Sequence, residues 1–67
     1  MQLTVNGIPR TFDRPLVTVA DLVRELALEG KRIAIEMNGE IVPRSRYADT
    51  RVASSDRLEI VGAVGGG

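Results

Sequence analysis

Hydrophobic and polar residues alternate from Met1 to Val5 and again from Ile8 to Phe12, with Asn6-Gly7 between the two runs. Period-two alternation sends successive side chains to opposite faces of a strand, and Asn-Gly suits a two-residue turn, so the pattern predicts a β-hairpin. Such a turn pairs Val5 with Ile8, Leu3 with Arg10 and Met1 with Phe12. The apolar members then share one face, with Arg10 among them, its stem lying flat and its head reaching water. Pro9 has no N–H to offer a neighbouring strand, which places the second strand at a sheet edge.

The period then lengthens. Val19, Leu22, Val23 and Leu26 recur at helical spacing, Thr18-Val19-Ala20-Asp21 fits a variant of the capping box, and Gly30 is the expected C′ residue. Leu26 is thereby expected in the core. Ile33 to Met37 reads as a third strand, Asn38-Gly39 as a second hairpin turn, and Glu40 to Val42 as a short strand stopped by Pro43. Arg44 to Tyr47 suits a turn or short helical segment. Ser54-Ser55-Asp56-Arg57 is turn chemistry, and Leu58 to Val61 forms a last strand with Leu58 and Ile60 inward and Glu59 and Val61 outward.

One helix among these strands must cover one face of their sheet. A crossover from the edge strand through the helix, with the last strand inserted beside the first, gives an α+β fold of the β-grasp (ubiquitin-like) type. It is a roll with a mixed four- to five-stranded sheet and one main helix packed on one face. The expected domain spans residues 1–62, and 63–67 form a flexible Gly-rich C-terminal tail.

Composition narrows the chemistry. The 67 residues include no cysteine, histidine or tryptophan, so thiolate nucleophiles, imidazole bases, disulfides and zinc sites of the usual N/S type are excluded. No P-loop pattern occurs, and no metal site or bound cofactor is expected. Nine basic and nine acidic side chains cancel, which gives nucleic acid no net field to follow. The longest apolar run, Ile60 to Val64, is far shorter than the roughly 18 residues of a membrane span, and MQLTVNG lacks a leader pattern. Neither nucleic acid nor a membrane is an expected partner, and the expected location is the cytoplasm.

Four stretches bear a family likeness: the opening MQLTVNG, the central AIEMNGEIVPRSRY, the DRLEIV of the last strand and the ending AVGGG. Together they resemble the sulfur-carrier proteins of the ubiquitin-like β-grasp family, in particular the ThiS carriers of thiamine (thiazole) biosynthesis. The small subunit of molybdopterin synthase is the nearest alternative carrier, and a β-grasp interaction domain that carries nothing is the alternative outside that class. Ser54-Ser55 replaces the Gly that the family often has before its last strand, and Gly62 stands where a larger residue is frequent.

The resemblance implies a carrier and co-substrate, not an enzyme. A ubiquitin-activating-type (ThiF-like) adenylyltransferase would use ATP and Mg to adenylate the Gly67 carboxylate. Sulfur from a donor enzyme would displace AMP, and the thiocarboxylate would serve a ThiG-like thiazole synthase. Val64, Gly65, Gly66 and Gly67 would enter the partner's active site, with a reach of roughly 13 Å when extended. From the predicted register, Ala34, Ile41 and Val61 share an outward face with Glu36, and with Ala63 they make the expected partner-docking patch; Arg44 and Arg46 are its candidate charged rim.

Overall fold

Both Asn-Gly pairs turn the chain as their residue types require. In the computed structural model, which describes residues 1–62, Asn6 and Gly7 have φ of 53° and 80°, and Asn38 and Gly39 have 52° and 89°. Two successive positive φ values match the right-handed twist of the flanking strands. The first turn joins β1 (Gln2–Val5) to β2 (Ile8–Thr11), and the second joins β3 (Ile33–Met37) to β4 (Glu40–Val42). Leu3 lies opposite Arg10 and Val5 opposite Ile8, while Glu36 lies opposite Ile41, all as the two-residue turns predict.

The last strand, β5 (Arg57–Gly62), enters between the hairpins. Five strands run in the order β2-β1-β5-β3-β4, with β1 and β5 parallel and the other pairs antiparallel. Pro9 therefore sits on an edge strand, where its missing N–H costs no ladder bond. Each turn asparagine also grips β5. The Asn6 side chain accepts from the Ile60 N–H at 2.7 Å and donates to the Ile60 carbonyl at 3.0 Å, standing in for a peptide group where β1 ends. Asn38 Oδ1 accepts from the Arg57 N–H at 3.0 Å, and its Nδ2 donates to Asp56 at 3.1 Å.

The helix α1 (Val19–Glu25) starts as predicted. Thr18 and Asp21 form a capping box, in which the Asp21 N–H donates to Thr18 Oγ1 while the Asp21 carboxylate accepts from the Thr18 N–H. The Val19 and Ala20 N–H groups donate to the carbonyls of Thr50 and Tyr47, so the first-turn donors are satisfied by the segment that crosses this end.

The helix stops earlier than Gly30 suggested. Leu26 is the C-cap and Ala27, at φ 60°, takes the left-handed C′ position. The Leu28 N–H donates to the Val23 carbonyl and the Ala27 N–H to that of Arg24, the bond pair of a Schellman ending. Gly30 does have a positive φ, 76°, but it turns the following loop toward β3. Leu26 is consequently half-buried, a correction to its expected place in the core, while Val19, Leu22 and Val23 are buried.

The core lies between α1 and the inner sheet face, where Leu3, Leu22, Ile35, Leu58 and Val19 are the largest fully buried side chains. Leu16, Tyr47 and Val52 complete it from irregular segments. Arg44–Arg46 form a short 3-10 helix, and the Val52 N–H donates to the Val17 carbonyl, holding the two irregular segments together. Ser55 replaces glycine in a turn with φ 79°, a conformation that glycine adopts without strain.

Candidate functional site

Among the described residues no helix covers the outer sheet face. There β5 pairs with β3 so that Val61 lies opposite Ala34 and Glu59 opposite Glu36, and the β3–β4 pairing brings Ile41 beside Glu36. Cross-strand partners share a face, so these pairings unite Ala34, Ile41 and Val61 on one surface. Ile41 is 74% exposed and Val61 60% exposed, the response of aliphatic side chains that alternation has turned away from the core. Glu36 and Glu59 are directly opposed like charges, an arrangement that lowers sheet stability slightly and leaves a negative centre between the two aliphatic ends.

Arg44 borders this surface. It lines a shallow hollow with Ala34 and Val61, and its guanidinium donates to the Lys31 carbonyl at 2.7 Å. Arg46 is instead engaged with Asp49 at 4.0 Å. Of the two arginines expected at the rim, the structure brings Arg44 alone to the aliphatic pair.

β5 runs to the brink of the tail. Gly62 is its last residue, registered opposite Ile33, and apart from its chain neighbours no atom of the described residues lies within 4 Å of the place a Cβ would take. Glycine here answers no steric demand of the described fold. Ala63, Val64, Gly65, Gly66 and Gly67, expected to reach a partner, lie outside the described residues.

Among the described residues there is no group of three or more carboxylate, histidine or cysteine side chains able to hold a metal ion, and no helix long and apolar enough to cross a membrane. The carboxyl group held below its ordinary range is that of Asp21, through N–H groups of Thr18 and then Val17. It caps α1 and lies away from the outer face.

The geometry has a counterpart in known proteins. The sequence model of the ThiS family matches residues 3–67. A sulfur carrier protein ThiS from Bacillus subtilis is 35% identical over 65 residues, covering 97% of this chain and 98% of that protein. A thiazole synthase from Paramagnetospirillum magneticum is 45% identical over all 67 residues, and the chain spans only 20% of its length. The crystal structure of a thiamine biosynthesis protein (ThiS) from Geobacter metallireducens superposes with a TM-score of 0.85 at 35% identity over the whole of both chains.

Proposed function

The chain belongs to the ThiS family, the sulfur carriers of thiamine biosynthesis, and from that membership we propose that its sulfur rides on the carboxylate of Gly67 as a thiocarboxylate. One observation carries the reading: the family correspondence runs through the glycine end, to residue 67. The fold supports it by fixing where that end begins. β5 is bonded to β1 on one side and β3 on the other, so Gly62 leaves the sheet at a defined point.

A carboxylate is a poor acyl donor because its charge is delocalised and oxide leaves badly. Activation therefore precedes sulfur transfer: an adenylyltransferase joins the carboxylate to AMP from Mg-ATP with release of pyrophosphate, and sulfur delivered at the sulfide level by a donor enzyme attacks the carbonyl, so that a C–S bond forms, the C–O bond to AMP breaks and the thiocarboxylate is left. Glycines bring no Cβ to the reacting carbonyl and pass a narrow channel. The outer face, with Ala34, Ile41 and Val61 beside the tail root, docks the activating enzyme. Delivery to a thiazole synthase is supported by the Paramagnetospirillum relative, a thiazole synthase of which a fifth corresponds to this chain.

The test is ATP–pyrophosphate exchange with the adenylyltransferase, followed by intact mass. Wild type should exchange and then, with sulfide supplied, gain the mass difference of one sulfur for one oxygen. A chain lacking Gly66 and Gly67 should do neither, because its carboxylate stops about 7 Å short and misplacement by about 1 Å already costs on the order of a hundredfold in rate. Full exchange by the shortened chain would sink the reading.

A further inference from the structure

The early end of α1 leaves part of the inner sheet face uncovered. Seven residues make a helix about 10 Å long, and the chain then loops back through Ala27 toward β3. Beneath this loop lies an open cavity of about 880 Å³, on the face opposite Ile41 and Val61. Leu26, Leu28, Ile33 and Ile60 give it an aliphatic lining, and all four are only partly buried. On the same sheet face, Ile8 of β2 remains 63% exposed, beyond the helix's cover.

The rim is cationic although the chain carries no net charge. Arg10, Lys31 and Arg32 line the cavity, and among the described residues none has a carboxylate within ion-pairing distance. Its single acidic lining residue, Glu25, is engaged by Arg14 at 3.8 Å. Gly62 supplies backbone at one end. The β1–β5 ladder ends at Val5 opposite Leu58, and the Asn6 side chain serves Ile60, so no described strand lies beside Gly62 on that side.

We propose that this groove is a second docking surface, which takes an extended acidic and aliphatic segment of a partner protein. An extended segment alternates its side chains, so aliphatic residues enter the lining while carboxylates between them meet the three cations. Its backbone finds polar groups at Gly62. The outer face differs in carrying both signs, with Glu36 and Glu59 opposed at its centre and Arg32 and Arg44 at the hollow beside Val61. The two surfaces lie on opposite sides of the sheet and meet at its end, where Arg32, Ile33 and Gly62 line hollows on both. The groove does not depend on the sulfur chemistry proposed above.

The probe is a short peptide, blocked at both ends, that alternates glutamate with isoleucine; its counterpart has lysine for glutamate. In an NMR titration of the isotopically labelled chain, the acidic peptide should saturably shift the amides of Asn6, Arg10, Leu26 and Leu28, which line the groove and not the outer hollow, and leave Ile41 in place. The basic peptide should leave the groove amides unmoved. Combining Arg10→Glu with Arg32→Glu should weaken the acidic peptide about tenfold or more, and Lys31→Glu, a single change in an exposed loop, should weaken it less. Thermal melts establish that each variant is folded. The proposal is overturned by an absence of saturable shifts, by equal binding of both peptides, by shifts centred on Ile41, or by unchanged affinity in a folded variant. Inorganic phosphate reproducing the same shifts would also overturn it, since the groove would then be a small-anion site.

Discussion

At the scale of single residues, Ala27 and Asp21 set the two ends of α1. Ala27 holds φ 60°, a conformation costing an L-residue about 1–2 kcal/mol that glycine takes freely. Ala27→Gly is expected to raise stability by about 1 kcal/mol, read from the denaturant midpoint. Asp21 contributes in a pH-dependent way. Its folded-state pKa is lowered from the ordinary 3.8 by hydrogen bonds from Thr18 and Val17, so its stabilisation is present above that value and lost as pH falls through the lowered one. The melting temperatures of wild type and Asp21→Asn should differ most above about pH 4 and converge below it. The capping box was legible because threonine and aspartate at that spacing have one local use. The helix end was not legible: Gly30 has the positive φ its residue type implies, yet the Schellman closure falls three residues earlier, on an alanine whose type announces nothing.

At the scale of elements, the buried stripe of α1 is shorter than its periodicity. Leu22 is fully buried and Leu26 half-buried at the C-cap, so Leu22→Ala should cost about 2–5 kcal/mol and Leu26→Ala clearly less, by chemical denaturation. Equal costs would mean that the helix continues past Leu26 onto the sheet. The outer face gives a second contrast. Val61→Asp adds a charge beside Glu59 on an exposed position, so the fold should hold while affinity for the adenylyltransferase, measured by calorimetry, falls at least tenfold. Unchanged affinity would remove Val61 from the interface. Ala34 and Ile41 were legible as one face because a two-residue turn leaves a single register for β3 and β4, whereas Val61 joins them through the pairing of β5 with β3. Leu16 and Val52 escaped notice because they pack from segments with neither a helical nor a strand period, and only the finished core brings them together.

At the scale of the whole molecule, the described residues 1–62 already form a five-stranded sheet and a closed set of core contacts, so removing Gly66 and Gly67 should leave the thermal midpoint nearly unchanged, as changes at a chain end usually do. A large loss of stability would show that the end of the chain belongs to the fold. The strand order was an assumption of the crossover argument, since periodicity says that β5 is a strand and not which strands it joins. That order has a mechanical consequence. β5 lies between a parallel and an antiparallel neighbour, with an asparagine side chain clamped to it near either end. A force drawing the chain out beyond Gly62 acts along β5 and loads its rows of lateral hydrogen bonds together in shear, whereas a hairpin peeled from its open end yields one bond at a time. A partner that pulls on the last residues therefore works against an anchored strand, and tension applied at the tail is shared by the whole sheet.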